Sequence, residues 1–415
     1  MLVLGIETSC DETAMSLIRN GGVSEIAVLA DKTLSQIELH KQYGGVFPNM
    51  AKREHSRNLL PLLRTVLEES KLQIFNSQFS ISKETGEKIK EILNREPELL
   101  ELFLAYIPTI EKPPLDAIAV TEGPGLEPCL WTGINLAKAL SLVWDIPIVP
   151  VNHMEGHIFS ALLRRKNENT ELGSKNYEES RNSTSLPLIH NSKFIIHKPT
   201  FPALALLISG GHTELVLIKG LHNYKIIGQT RDDAVGEAFD KVARLLGLPY
   251  PGGPEISRLA EELRSRNYEL REKRETKLPR PMLHSGDFDF SFSGIKTSVL
   301  YLLKKLPELT EDTKKEIALE FENAVTEVLI VKTRKALELY GAQALLLGGG
   351  VVANTHIRRE FEKLATLLGV PLHIPERALT TDNALMIAVA GLLHAQAEKT
   401  GRTEPLRAQG NLRLD

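Results

Sequence analysis

The chain has 415 residues, 42% of them hydrophobic and 25% charged, enough apolar material for a sizeable core and long for one compact domain, so two lobes are expected. A formal net charge of -3 excludes any global attraction to nucleic acid or to a membrane surface and leaves only local patches for that purpose. Cys10 and Cys129 are too few for a disulfide framework, and the lack of a basic and apolar leader or of an apolar run of bilayer length predicts a soluble cytoplasmic protein that binds no membrane.

In chain order, Leu2-Val3-Leu4-Gly5-Ile6 and Ala14-Met15-Ser16-Leu17-Ile18 read as strands on either side of the polar turn Glu7-Thr8-Ser9-Cys10-Asp11-Glu12-Thr13. Its hydroxyls and carboxylates suit a phosphate or a cation, although an ordinary turn has the same composition. A helix is predicted over 51–67, carrying Arg53, His55 and Arg57. Between about 71 and 114 the pattern loosens into charged, short-period material that reads as an insertion. The run 115–120 restores a buried strand. With the turn Gly123-Pro124-Gly125, a helix over about 129–143 and a strand over 146–151, it forms a βαβ unit.

A helix opening at His153 would set His153 and His157 four apart on one face, close enough to hold one metal ion. The pair supplies two ligands, and two satisfied polar histidines have the same spacing. From about 164 to 200 the chain is rich in Asn, Ser, Glu and Lys and reads as a flexible surface insertion; the sequon Asn182-Ser183-Thr184 carries no meaning in a cytoplasmic protein.

The segment 202–218, with Ser209-Gly210-Gly211-His212-Thr213 at its centre, repeats the strand, turn, strand plan of the amino terminus. Helices follow over 232–246, which contains Asp240, over the highly charged 258–277, and over 294–303 and 313–340. The carboxyl part then copies the βαβ unit: strand 344–347, turn Gly348-Gly349-Gly350, helix 354–368, strand 370–374, and Thr381-Asp382-Asn383 opening a last helix to 398. Element by element, Asp382 stands where the first unit has His153. If the two halves face each other across a cleft, Asp382 is the natural third ligand beside His153 and His157; as an N-cap it would serve the helix instead. Two imidazoles and a carboxylate suit iron(II) or zinc equally. The glycine turns at Ser209-Gly210-Gly211 and at 348–350 admit phosphate oxygens to backbone N–H groups, and Asp240 is placed to take ribose hydroxyls.

The expected class is therefore α/β, a duplicated two-lobed fold. The amino lobe spans 1–152 with its insertion at about 71–114, completed by the carboxyl-terminal helix at about 384–415. The carboxyl lobe spans 153–383 with its flexible insertion at about 164–200.

The ordered motifs Gly5-Ile6-Glu7-Thr8-Ser9-Cys10-Asp11-Glu12-Thr13, Tyr43-Gly44-Gly45-Val46, His153-Met154-Glu155-Gly156-His157, Leu207-Ile208-Ser209-Gly210-Gly211-His212-Thr213, Gly236-Glu237-Ala238-Phe239-Asp240-Lys241, Tyr250-Pro251-Gly252-Gly253-Pro254, Asp289-Phe290-Ser291-Phe292-Ser293-Gly294 and Thr381-Asp382-Asn383 resemble the universal tRNA N6-adenosine threonylcarbamoyltransferase family in its bacterial, TsaD-type branch. The resemblance implies an actin, sugar-kinase and Hsp70-like fold with the active site in the interlobe cleft. It implies transfer of the threonylcarbamoyl group from threonylcarbamoyl-AMP to N6 of adenosine 37 in tRNAs reading ANN codons. One divalent ion per subunit, iron or zinc, would be held by His153, His157 and Asp382; the adenylate would be held by Leu207, Ile208, Ser209, Gly210, Gly211, Asp240, Gly253 and Asn354. Glu12 is the candidate catalytic base, from the resemblance and from its place in the first turn. Asn152 replaces a histidine often found before the ligand pair, and Ala384 a common glycine. Implied partners are tRNA, an inactive shorter paralogue of TsaB type and a small P-loop ATPase of TsaE type, with Arg53, Arg57, Arg280, Arg358 and Arg359 as candidates for a tRNA patch. An ATP-dependent kinase or ATPase of the same fold is the alternative, opposed by the histidine pair. A metallopeptidase is opposed by Glu155, which is two residues after His153 and so points off the ligand face. A non-catalytic scaffold is opposed by the complete ligand set.

Overall fold

Every residue of the opening strand, β1 (Leu2–Glu7), is buried; its apolar run over 2–6 suits the middle of a covered sheet. The computed structural model describes residues 1–22, 24–72, 81–166, 189, 191–266, 277–397 and 405–415. They fall into two units. The first comprises Met1–Gln36, Val46–His197 and Pro375–Arg413; the second comprises Ile37–Gly45, which contains the short helix α1 (Ile37–Lys41), with Lys198–Ile374 and Leu414–Asp415.

In the first unit β1 pairs antiparallel with β2 (Glu12–Asn20), which pairs with β3 (Glu25–Ser35). On its other edge β1 runs parallel to β4 (Ala117–Gly123), and β4 parallel to β5 (Ile148–Asn152). Leu2, Leu4 and Ile6 share a core with the helices α2 (Pro48–Glu69), α3 (Lys83–Ile92), α4 (Pro97–Tyr106) and α5 (Glu127–Trp144). The alternate residue Gly5 faces α12 (Ala384–Gln396), the last helix described. A side chain at Gly5 would meet the Ala384 carbonyl at 2.5 Å, and one at Gly391 would meet the Ala119 methyl at 2.3 Å, so small residues on both surfaces let α12 lie directly on the sheet. There α12 also packs against α6 (His153–Leu162).

Several expectations change here. Residues 73–80 lie outside the described set, and the rest of the expected 71–114 insertion is ordered, its two helices burying Ile89, Leu93, Leu99 and Phe103 in the core. The expected flexible segment at 164–200 begins and ends in strands, β6 (Leu163–Arg165) and β7 (Lys193–Ile196), which extend the sheet beyond β3; its centre and the sequon at Asn182 lie outside the described residues. Helix α6 and the segment from Pro375, which were placed in the carboxyl lobe, group with the first unit.

The second unit is built on β8 (Ala203–Ile208), β9 (Thr213–Gly220), β10 (Asn223–Gln229), β11 (Ala344–Gly348) and β12 (Leu372–His373). Its sheet order is β10-β9-β8-β11-β12, with β8, β11 and β12 parallel and β9 and β10 antiparallel. That is the order and sense of β3-β2-β1-β4-β5, so the duplication is borne out strand for strand. The helices are α7 (Val235–Leu245), α8 (Gly252–Arg266), α9 (Ser293–Lys305), α10 (Glu311–Tyr340) and α11 (Thr355–Leu368). Helix α10 is capped by Thr310, whose hydroxyl accepts Thr313 N–H, and ends at the left-handed Gly341. Phe239 and Phe321 meet edge to face at 4.9 Å inside this core, a geometry worth about 0.5–1.5 kcal/mol beyond the burial of the rings. Among the described residues, no helix is long and apolar enough to cross a membrane.

Candidate functional site

Helix α6 begins at His153 because Asn152 caps it, its side-chain oxygen accepting Met154 N–H at 2.8 Å and Glu155 N–H at 3.3 Å. The departure at 152 thus has a local structural use. The cap fixes the first turn, and the helical rise sets the His153 and His157 rings edge to face with centroids 4.8 Å apart. Asp382 reaches them from the entry to α12. The N-cap of that helix is Asn383, which accepts Met386 N–H at 2.9 Å, so the cap alternative for Asp382 falls away and its carboxylate is left to the histidines. Asp382 Oδ1 lies 3.3 Å from His153 Nε2 and 3.2 Å from His157 Nε2. Sequence equivalence brought the three residues together across two lobes. In the structure all three belong to the first unit, and they meet because α12 packs beside α6.

The electrostatics of the cluster are those of a cation site. Nδ1 of the fully buried His157 lacks a hydrogen-bond partner, and its Nε2 has only the Asp382 carboxylate, 3.2 Å away and outside good hydrogen-bond geometry, an arrangement that suits a shared cation. Ligand atoms of His153, His157 and Asp382 all lie within 4.8 Å of one another. Burial alone would raise the Asp382 pKa, but His153 and then His157 hold the carboxyl well below its usual range. Burial opposes charge on His153, and Asp382 and Glu7 on its two sides more than offset that, lifting the ring well above 6.5. Glu12 is pushed well above the ordinary carboxyl range by burial and then by the charges of Asp11, Asp382 and Glu7. Asp382 and Glu7 flank His153, and Glu12 lies within electrostatic reach of Asp382, so acidic groups crowd the pair of imidazoles and a divalent ion would relieve their repulsion. Two imidazoles and a carboxylate leaving positions open fit a zinc or iron(II) ion that also binds substrate. The family and this ligand group together support use of a metal.

The turn bearing Glu12 is held by His55, which groups with Arg53 and Arg57 as a solvated charged face in the sequence but is buried in the structure. His55 on α2, fully buried, donates from Nε2 to the Cys10 carbonyl at 2.9 Å, which leaves Nδ1 to accept the Thr13 hydroxyl at 2.7 Å. A histidine on the apolar face of a helix whose other charges point outward was the available signal. Glu155 turns to the far side of α6 and pairs with His394 at 2.7 Å, as expected of a residue off the ligand face.

The candidate adenylate residues lie in the second unit. The side chains of Leu207 and Ile208 are wholly buried in the sheet, where Leu207 pairs with both β9 and β11 and Ile208 with β9, so they serve to place the turn that follows. Ser209 closes the turn, its hydroxyl accepting His212 N–H at 3.1 Å and its carbonyl accepting Gly236 N–H at 3.2 Å. A Cβ at Gly210, Gly211 or Gly253 would meet nothing within 4 Å, so no contact inside the protein requires glycine there. Gly252 differs: a Cβ would meet that of Ala243 at 2.4 Å, and its N–H donates to Asp240 Oδ1 at 2.7 Å, which ties α8 to α7. Asn354 caps α11 through Ile357 N–H at 2.9 Å and donates to the buried Glu322 at 2.7 Å.

The arginines considered for a tRNA patch are engaged within the protein. Arg53 and Arg57 pair with Glu98, Arg280 with Glu320 and Glu327, and Arg359 with Glu261, while Arg358 donates to the Val352 carbonyl.

The family model described as TsaD, tRNA N6-adenosine threonylcarbamoyltransferase, matches residues 27–77, 100–171 and 184–389. A protein of Acidovorax sp. (strain JS42) bearing that enzyme name is 40% identical over 407 residues, covering 98% of this chain and 94% of its own. One of Nitrosospira multiformis with the same name is 40% identical over 397 residues, covering 96% and 92%. Among solved structures, HypF of T. kodakarensis aligns with a TM-score of 0.52 and 12% identity over 96% of this chain and 48% of its own, a likeness of fold alone.

Proposed function

The chain belongs to the tRNA N6-adenosine threonylcarbamoyltransferase family, and from that premise we propose that His153, His157 and Asp382 hold one divalent ion, iron(II) or zinc, for the transfer. The protein is a transferase that forms N6-threonylcarbamoyladenosine in tRNA, which answers the alternative of a kinase or ATPase. The donor is threonylcarbamoyl-AMP and the acceptor adenosine 37, whose place in a single-stranded loop lets the base be splayed out for reaction.

The N6 amine attacks the carbamoyl carbon, the bond from that carbon to the phosphate oxygen breaks, AMP departs with the electron pair, and N6 loses one proton. The ion, when bound, supplies Lewis-acid polarisation and a fixed point for the threonine moiety. Glu12, at the end of the turn after β1, receives the proton. Leu207, Ile208 and Ser209, tied into the sheet and its turn, place the Gly210 and Gly211 backbone N–H groups that hold the phosphate, Gly253 leaves room for the nucleoside, and Asp240 and Asn354 take its polar groups. The open space at Gly210, Gly211 and Gly253 supports this assignment. Partner subunits of TsaB and TsaE type and a cytoplasmic location are part of the same proposal.

The convergence of His153, His157 and Asp382 carries the proposal. It is tested by single-turnover product formation on an unmodified ANN-decoding tRNA with purified threonylcarbamoyl-AMP. His153→Ala and Asp382→Ala should each lower the rate at least ~100-fold, the few kcal/mol expected for loss of an electrophilic ion. Variants as fast as the wild type would refute the ligand assignment.

A further inference from the structure

Directly behind the first histidine stands a carboxylate with no role in the proposed chemistry. Glu7 is fully buried at the end of β1, and its two oxygens have different partners. Oε1 accepts Ser9 N–H at 2.5 Å; Oε2 accepts the Thr121 hydroxyl at 2.6 Å and the Nδ1–H of His153 at 3.1 Å. The sheet builds this arrangement, because β4 lies between β1 and β5 and its Thr121 is in register with Val151, two residues before His153. A carboxylate anchored by a backbone N–H on one oxygen and a hydroxyl on the other cannot follow the imidazole if it turns. Accepting the Nδ1 proton leaves the lone pair on Nε2, the nitrogen that faces Asp382.

We propose that Glu7 is a positioning residue for the cation site, holding His153 in the tautomer with Nδ1 protonated and Nε2 presented to the ion, without being a ligand itself. This rests on the assignment of His153, His157 and Asp382 as ligands. Glu7→Gln keeps the length and one carbonyl acceptor while removing the charge and an acceptor oxygen.

The experiment measures zinc affinity by competition with a chromophoric chelator for wild type, Glu7→Gln and His153→Ala, with circular dichroism to verify folding. Nitrogen-15 NMR of the histidine rings is recorded on zinc-loaded wild type. Glu7→Gln should bind zinc about 10–100-fold more weakly, the usual loss for a carboxylate behind a ligating histidine, and His153 should carry its proton on Nδ1. Wild-type affinity in folded Glu7→Gln, or zinc bound through Nδ1 of His153, would overturn the role of Glu7. If His153→Ala itself binds zinc like the wild type, the ligand assignment falls; if it loses zinc while Glu7→Gln keeps it, only the role of Glu7 falls. Should Glu7→Gln fail to fold, the tautomer in the wild type decides the matter.

Discussion

Asp382 and Asn383 are neighbours with separate duties, and substitutions should separate them. Asn383→Ala removes the cap on α12 and should cost about 1 kcal/mol of stability, read as a lowered Tm with chelator present. Asp382→Asn leaves the cap intact and should lose metal affinity, read by zinc titration. The glycines divide in the same manner. Gly210→Ala should fold like the wild type but bind a non-hydrolysable adenylate analogue more weakly. Gly252→Ala forces a contact now at 2.4 Å and should destabilise by about 1–3 kcal/mol, with a lowered urea midpoint. The identity of the three candidate ligands was legible in the sequence from the histidine spacing and the repeat. Glu7 and His55 were not, because their meaning lies in partners more than 40 residues away, Thr121 and His153 for one and Cys10 and Thr13 for the other.

At the scale of elements, strands and helices with a clear period were readable within a few residues: α5 was expected over about 129–143 and runs Glu127–Trp144. The stretch 83–106 was not, since α3 buries only Ile89 among charged residues and α4 is short and buries only Leu99 and Phe103. The position of α12 was also hidden. Its apolar surface shows that it is buried, while its close seat on the sheet depends on Gly5 and Gly391, whose importance appears only when the opposing Ala384 and Ala119 are known. Gly391→Val should therefore lift α12 away from β4, lowering stability by a few kcal/mol and weakening metal binding together. Equilibrium denaturation and a zinc titration on the same preparation would check the pairing.

For the whole molecule, the repeat was the most informative feature of the sequence, because it predicts one strand-turn-strand and βαβ plan used twice, and both sheets have it with one further strand each at β3 and β10. Away from the ion site, Asp31 gives global stability a pH term of its own. Asp31 on β3 has one enclosed oxygen without a partner, and burial raises its pKa from 3.8 to about 6. Folding therefore favours the protonated carboxyl: the contribution is full below pH 3.8 and is lost as pH rises through about 6. Asp31→Asn should be more stable than wild type at pH 8, by up to ~3 kcal/mol, and the advantage should vanish by pH 4. Urea unfolding of both proteins across that range tests the sign.

Ser160 on α6 donates to the Leu379 carbonyl 219 residues later, and Asp382 follows just beyond. During synthesis at about 5–20 residues per second, both histidines leave the ribosome roughly ten seconds or more before their carboxylate exists. Throughout that interval the surface of β1, β4 and α6 that α12 will cover stands bare. A nascent chain halted before residue 384 therefore displays an apolar face and an incomplete ion site, so chaperone occupancy in the cell should peak over the second unit's translation and fall once α12 emerges.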